Sequence, residues 1–370
     1  MGRTPFGISR EVYVICVFII KNDYFCLSIE MFQNEQKVKK KVLITGASGF
    51  IGRFLVEETI RRGYEVWAGV RASSSLECLP LEKIQRIDLA YHDPKALSEQ
   101  IIDHVRRHGA WDYVIHNAGL TKTVRQSDLY MVNAVYTQWL LTALSQTGCR
   151  PAKFLLMSSL STYSAGNQKT LEPIRLDDPQ KPDTAYGKSK LMAEQSVRGQ
   201  DIIPYVILCS TGVYGPGDKD YGLEVKSVQS GFDFAVGLKP QYITFVYVKD
   251  LATVTCQALE NETVRNRTYF VADGDVYTDT QFARMIQDIL QKKHVFRLRL
   301  PKWFVYIVCL CSEWTGRLTG RAKTLNTDKY KILKQRNWIC DTEPLRKEVG
   351  FKPAYNLRKW LEETIFLERK

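Results

Sequence analysis

The sequence predicts an α/β protein: a doubly wound parallel sheet followed by a smaller C-terminal lobe. Three observations predict it. From Lys41 to Leu208, short apolar runs rich in valine and isoleucine alternate with helix-patterned segments. A glycine-rich turn joins the first of these runs to the first helix. After Gly212 the alternation gives way to turn-rich sequence and scattered shorter elements. Continuous apolar strands separated by helices fit a parallel sheet covered on both faces.

Taken in order, strands are expected over Lys41–Thr45, Glu65–Val70, Ile84–Leu89, Tyr113–His116, Lys153–Met157 and Tyr205–Leu208. Helices are expected over Phe50–Arg62, Pro94–His108, Gln126–Gln146 and Asp183–Arg198. Further on, Tyr242–Val248 and Thr268–Val271 read as strands, and Trp303–Leu318 and Leu357–Leu367 as the last helices. Thr278 followed by Gln281 has the spacing of a capping box and opens a helix running to Gln291. Residues 41–211 thus make the sheet domain and 212–370 mainly the smaller lobe, with 242–260 returning to the sheet. Residues 1–40 are an N-terminal extension outside that fold.

Within the extension, the apolar run Val12–Ile20 is too short to span a bilayer, which takes about 20 apolar residues. Glu11 interrupts its basic flank and Ser28-Ile29-Glu30 is no small-residue cleavage site, so a signal peptide is disfavoured. The polar stretch Phe32–Lys40 leads from Met31 into the first strand, and Met31 is read as the start of the native protein.

Composition excludes several classes. A chain of 370 residues with 45% hydrophobic and 25% charged residues has the make-up of an ordinary globular protein. Nine cysteines without any C-x-x-C pair read as reduced thiols in a reducing compartment, and so as a cytoplasmic protein. The five histidines show no metal-ligand spacing, so no metal site is expected. The net charge of +12 is concentrated at the end: Arg284–Lys370 holds 20 Lys+Arg against 9 Asp+Glu. Such a bias suits a solvated basic face, an anionic lipid surface or an acidic substrate, whereas no nucleic-acid motif accompanies it.

The turn Thr45-Gly46-Ala47-Ser48-Gly49-Phe50-Ile51-Gly52 lies between a strand and a helix. Its glycines permit a tight turn, close approach of backbone to a pyrophosphate, and close packing of helix on strand. The helix N-terminus adds unpaired N–H groups and positive dipole. Dinucleotide binding follows from that context. A site for NAD(H) usually carries a carboxylate at the end of the second strand. Here that strand ends Gly69-Val70 and Arg71 follows, with Ser73 and Ser74 beyond. Arginine binds a 2′-phosphate through a charge-assisted fork, so the site favours NADP(H). NAD(H) is the other candidate, if Arg71 simply faces solvent.

Tyr186-Gly187-Lys188-Ser189-Lys190 places a phenol and an ammonium four residues apart on one helix face. A phenol of pKa about 10 is a poor base at neutral pH, and a neighbouring cation lowers that value. Tyr186 would then exchange a proton with a hydroxyl or carbonyl while a nicotinamide exchanges hydride.

This set of motifs resembles the extended branch of the short-chain dehydrogenase/reductase superfamily, whose sheet is of Rossmann type. The likeness extends from Lys41 to Glu363 and includes Thr211-Gly212-Val213-Tyr214-Gly215-Pro216-Gly217-Asp218 and Phe245-Val246-Tyr247-Val248-Lys249-Asp250. The resemblance implies a catalytic hydroxyl at Ser159, with Ser158 the other candidate. It implies adenine contacts at Asp88 and Leu89, and cofactor contacts at Asn117, Ala118 and Gly119. His116 is an unpaired histidine expected to be structural, and Asn133 is expected to brace the sheet. Dimerisation through the long helices is also implied by the family alone.

Within the branch, 4,6-dehydratases carry an acidic pair where Leu160 and Ser161 stand here. Nucleotide-sugar epimerases carry an asparagine where Gly212 stands. The pattern is closest to dihydroflavonol reductases and 3β-hydroxysteroid dehydrogenases, through Leu325-Asn326-Thr327-Asp328-Lys329, Trp338 and Gly350-Phe351-Lys352-Pro353. Cys209-Ser210 departs from that subgroup's usual Arg-Pro. Three readings compete: an NADP(H)-dependent oxidoreductase interconverting a secondary alcohol and a ketone in a small, steroid-like substrate; a nucleotide-sugar epimerase; and a non-catalytic dinucleotide-binding regulator. The apolar segment 303–311 either lines a pocket for a flat apolar substrate, dips into a membrane interface, or is an ordinary buried helix.

Overall fold

A computed structural model describes residues 14–20, 23–29, 39–146, 148, 150–218, 221–320 and 323–367, with side chains described only between 39 and 363. The chain divides into two units, Met1–Lys39 and Lys40–Lys370. In the first, β1 (Val14–Ile20) and β2 (Asp23–Ile29) form an antiparallel hairpin, from Val14 opposite Ile29 to Ile20 opposite Asp23. Most of the apolar run Val12–Ile20 is therefore a strand. The proposed start at Met31 lies outside the described residues.

The second unit begins with β3 (Lys41–Thr45), α1 (Phe50–Arg61), β4 (Glu65–Gly69), β5 (Ile84–Ile87), α2 (Pro94–His108), β6 (Tyr113–His116), α3 (Gln126–Tyr130), α4 (Tyr136–Gln146), β7 (Lys153–Ser159), α5 (Ala185–Arg198) and β8 (Tyr205–Ser210). It continues with β9 (Gly212–Tyr214), α6 (Tyr221–Gln229), β10 (Phe232–Val236), β11 (Tyr242–Ile243), β12 (Phe245–Tyr247), α7 (Val248–Glu260) and β13 (Arg267–Val271). The last elements are β14 (Tyr277–Thr278), α8 (Asp279–Ile289), β15 (Phe296–Leu300), α9 (Lys302–Thr319), α10 (Thr327–Leu333), β16 (Asn337–Trp338), α11 (Glu343–Val349) and α12 (Leu357–Leu367).

Seven parallel strands make the main sheet in the order β13-β8-β7-β6-β3-β4-β5. Order reverses between β3 and β6, and that switch point is where ligands bind in open α/β sheets. Burial explains the strands: Val42 and Ile44 belong to the core on one face, Leu43 to the core on the other, and all three are fully buried. The helices start where their side chains can cap them. Asp93 accepts from the Lys95 and Ala96 N–H groups ahead of Pro94, and Thr184 accepts from the Gly187 N–H at the head of α5. The capping box expected at Thr278 and Gln281 is present.

Three expectations change. The helix expected over Gln126–Gln146 is interrupted by a π-helical turn at Met131–Val135. The strand expected over Tyr242–Val248 is broken at Thr244, whose buried hydroxyl donates to the Trp338 carbonyl (2.9 Å). Finally, no strand within 242–260 enters the main sheet. β11 pairs with β14 and β16, and β12 pairs with β9. The sheet position beside β8 is taken by β13, so what returns from 242–260 is helix α7, packed on α1.

Candidate active site

The site grows from the C-terminal ends of β3, β6 and β7. Gly46 has φ +67°, and a Cβ there would lie 2.8 Å from the Ala118 Cα. A Cβ on Gly52 would collide with the Gly46 carbonyl oxygen, so helix and turn touch only because both positions lack side chains. Gly49 is the N-cap of α1; no side chain caps that helix and no acidic residue lies in its first turn. Ser48, Phe50 and Ile51 complete the turn, partly exposed at its rim.

Thr45 ties two strands together. Its hydroxyl meets His116 Nδ1 at 2.8 Å and accepts from the Ala118 N–H at 3.1 Å. His116 Nε2 meets the Thr137 hydroxyl at 2.9 Å, and burial holds the imidazole down to a pKa of about 3. His116 is therefore a neutral buried strut, as the sequence suggested. Asn117 Nδ2 donates to the Gly46 carbonyl at 3.3 Å. The glycine turn and the end of β6 thus form one continuous cradle.

At the tip of β4, Arg71 is exposed, and its N–H donates to the Ser74 hydroxyl at 3.2 Å. Asp88 is also exposed; its carboxylate accepts the Ala72 N–H at 3.0 Å, which pins this loop beside β5. Leu89 is buried against the Gly69 position. Sequence reasoning missed Arg53, one turn into α1. Its guanidinium lies over the Phe54 ring and against Gly217, its Nη1 donates to Cys78 Sγ at 3.8 Å, and its buried Nε has no hydrogen-bond partner among the described residues. The glycine cradle, the uncapped helix and this cation with its unpaired Nε fit a dinucleotide diphosphate. The signal available in sequence was a basic residue directly after the third glycine.

Ser159, Tyr186 and Lys190 come together at the end of β7. The Ser159 hydroxyl donates to the Ser161 hydroxyl at 3.1 Å and accepts from the Ser161 N–H at 3.2 Å, and it lines the cavity floor together with Tyr186. Ser158 points the other way, into the core, where its hydroxyl donates to the fully buried Glu194. Of the two serines, only Ser159 faces the site. Lys190 is buried, and its ammonium donates to the Met157 carbonyl at 2.7 Å. Burial pushes its pKa down to about 8. Burial also pushes the Tyr186 phenol up to about 12, a rise that the neighbouring Ser159 hydroxyl only partly offsets. The expected lowering of the phenol by Lys190 is not found, because the ammonium is turned to the backbone of β7 and desolvation dominates.

Asn133, on the inner side of the π-helical turn, accepts from the Leu120 N–H (2.7 Å) and donates to the Leu120 carbonyl and the Ser189 hydroxyl (2.9 Å each). It braces the loop after β6 against α5 rather than the sheet. Gly119 sits over it: a Cβ there would lie 3.0 Å from Asn133 Oδ1 and 3.3 Å from Lys190 Nζ.

A cavity of about 540 Å³ opens above Ser159 and Tyr186. Phe50 and Ile51 border it on the side of the glycine turn, and Tyr221, Ile243 and Trp338 line it from the smaller lobe. Gly212 also lines it, and the space a side chain would need there is taken by the Tyr221 hydroxyl. Segment 303–311 does not line the cavity. Helix α9 reaches it only later, through Glu313, Gly316 and Arg317.

A dinucleotide cradle at the switch point, with a serine, tyrosine and lysine converging beneath one cavity, defines an NAD(P)-dependent oxidoreductase. The chain belongs to the NAD dependent epimerase/dehydratase family, whose model matches residues 42–272, and so to the extended short-chain dehydrogenases/reductases. Its relatives include a 3-beta-hydroxysteroid dehydrogenase of Mycolicibacterium neoaurum, 28% identical over 88% of this chain and 90% of the relative. A decarboxylating sterol-4-alpha-carboxylate 3-dehydrogenase of Dictyostelium discoideum is 23% identical over 88% of this chain and 99% of the relative. Among solved structures, a Thermus thermophilus UDP-glucose 4-epimerase in complex with NAD superposes with a TM-score of 0.68 at 21% identity, covering 89% of this chain and 99% of that one. That last likeness speaks for the fold alone.

Proposed function

We propose that the protein is an NADP(H)-dependent dehydrogenase or reductase that interconverts a secondary alcohol and a ketone on a steroid-like substrate. The observation that carries this reading is the convergence of Ser159 and Tyr186 on the floor of the cavity, with Lys190 buried behind them. The two steroid-converting relatives support the substrate class. The filled space at Gly212 counts against a sugar nucleotide held by an asparagine there.

Bound at the cradle, the nicotinamide would supply or accept the hydride. The rest falls to the chain. Ser159 donates a hydrogen bond to the substrate oxygen and fixes it beside the phenol. Tyr186 is a phenol at neutral pH and gives its proton to the oxygen as a ketone becomes an alcohol; in the other direction it takes that proton back. Lys190, charged at neutral pH, would turn from the Met157 carbonyl to the phenolate this leaves and stabilise it there. Arg71 would pair with a 2′-phosphate, and Arg53 with the diphosphate.

The test is turnover of a ketosteroid and hydroxysteroid panel with each of the four nicotinamide cofactors, followed by nicotinamide absorbance. Turnover with NADPH or NADP⁺ well above that with NADH or NAD⁺ is expected. Conversion of a UDP-sugar to its epimer with no net absorbance change would replace this reading with the epimerase.

A further inference from the structure

The lobe contains a sheet whose polar and apolar faces are exchanged. Strands β10 and β15 run parallel in register, Phe232 beside Phe296, Phe234 beside Leu298 and Val236 beside Leu300. Side chains two residues apart share a face, so these six form one apolar surface. It points outward: Phe232, Phe234 and Leu298 are exposed, and Phe296 is 62% exposed. The opposite face, packed on α6 and α8, carries the charges. Asp233 is buried there with Arg297 at 3.3 Å, and Arg299 pairs with Asp279 at 3.2 Å.

The apolar surface continues into α9. Only Pro301 separates Leu300 from that helix, and the Gly237 N–H donates to the Leu300 carbonyl at 2.8 Å, close against Lys302. Within α9 only Val305, Cys309 and Gly316 are buried. Phe304, Ile307, Val308 and Leu310 are exposed, Trp303 to 65% and Trp314 to 64%. A monomer rarely leaves so large a contiguous apolar surface uncovered.

We propose that this surface, the outer face of β10–β15 with the exposed side of α9, docks on an anionic phospholipid bilayer. Charge complementarity selects that occupant. Lys292–Lys302 contains five Lys and Arg and no Asp or Glu, and Lys292, Lys293 and Lys302 are exposed beside the aromatic face. Lys239 is exposed next to Leu238 at the turn that abuts α9. Tryptophan, tyrosine and phenylalanine flanked by basic residues suit the headgroup boundary. A second copy is a poorer occupant, because a two-fold contact would set this lysine cluster against itself. No described helix is long and apolar enough to cross a membrane, so the contact lies in the interface plane. The proposal does not depend on the substrate reading.

The test is sedimentation of the full chain with vesicles of phosphatidylcholine alone and of phosphatidylcholine with phosphatidylserine. Binding to the phosphatidylserine vesicles is expected, weakened by added salt, with little binding to the neutral ones. Two variants probe the two parts of the surface: Phe232→Thr/Phe296→Thr/Trp303→Thr, and Lys292→Glu/Lys293→Glu/Lys302→Glu. Each should lower the partition coefficient by roughly tenfold or more, while calorimetry shows unchanged NADPH affinity. Should the aromatic variant fail to fold, the lysine variant decides, since it alters exposed side chains only. Wild type left in the supernatant with phosphatidylserine vesicles overturns the proposal, as does a lysine variant that binds like wild type. Self-association lost in the aromatic variant, with no vesicle binding, assigns the surface to a second copy and equally overturns it.

Discussion

In the seven-stranded sheet, Val42 and Ile44 are buried on one face and Leu43 on the other; in the β10–β15 ribbon, three phenylalanines face out while Asp233 is buried. Both regions follow the two-residue alternation of a strand. They differ in what lies against each face. The main sheet is covered by helices on both sides, so its interior is largely apolar, its few buried polar groups such as His116 and Ser158 are paired, and its chemistry lies at one edge, where Ser159 closes β7 and Asn117 follows β6. The ribbon is covered on one side by α6 and α8, whose Glu224 and Asp279 lie near Asp233, and most of its apolar side chains face outward. Apolar sequence is thus evidence of burial in the first region and of a contact surface in the second.

The sharpest break between edge and interior is a pair of substitutions in or beside the same strand. Tyr186→Phe removes one hydroxyl from the cavity floor and should lower kcat by about 10²–10⁴, with NADPH affinity and the unfolding midpoint unchanged. Leu155→Ala, in the middle of β7 and fully buried, should leave the active-site groups in place and cost about 2–5 kcal/mol in urea unfolding. A Tyr186→Phe enzyme with near wild-type kcat would remove the phenol from the reaction. A Leu155→Ala protein of unchanged stability would mean that the sheet interior is not where stability resides.

The main sheet was legible because its signals are local. Burial on both faces leaves continuous Val/Ile runs, and a turn that needs φ above zero leaves glycine at Gly46. Tyr186 and Lys190 were legible because helical spacing alone puts them on one side of α5. The assignment of Ser159 over Ser158 needed coordinates, since it depends on Glu194, 36 residues on from Ser158, drawing one hydroxyl into the core. Arg53 was overlooked for a similar reason: its meaning comes from Gly217 across the molecule. The ribbon was not legible at all. Phe232–Val236 and Phe296–Leu300 pair across 64 residues, and Phe-Arg-Leu-Arg-Leu has the alternation of a strand whose apolar side should be inward. The same inversion bears on 303–311: of its three readings the pocket lining is not found, and the apolar residues lie mostly outside.

Between catalytic edge and interior lies the exposed rim at Arg71, and it should respond by an intermediate amount. If Arg71 holds the 2′-phosphate as proposed, Arg71→Ala removes a charge-assisted pair worth about 1.5–3 kcal/mol, so NADPH affinity should fall roughly tenfold to a hundredfold while NADH affinity hardly moves. Equal losses for both cofactors would place Arg71 away from the 2′-phosphate. Lys190 supplies a second measurement at the same edge. Burial depresses its pKa to about 8, so its charge is present below that value and lost above it. Ketone reduction should therefore be level at neutral pH and decline as pH rises through about 8. Tyr186, held up to about 12, contributes no limb in that range. A decline that persists unshifted in Lys190→Arg, whose charge does not titrate there, would assign the limb to another group.

The smallest expected effect tests the ribbon. Phe234→Thr keeps a β-branched strand former but removes an exposed ring stacked on Phe232, with centroids 5.9 Å apart. The ring stays about half exposed, so less of it leaves water on folding than of the fully buried Leu155, and aromatic pairs add only about 0.5–1.5 kcal/mol. The unfolding free energy from urea titration should fall by about 1 kcal/mol, below the loss for Leu155→Ala, although both replace a large apolar side chain in a strand. A loss as large as that of Leu155→Ala would show that the ring is covered in the folded protein in dilute solution, and the ribbon would then belong with the main sheet as a buried layer. A small loss keeps the two regions distinct: one surface apolar because the fold requires it, the other apolar at no benefit to the fold.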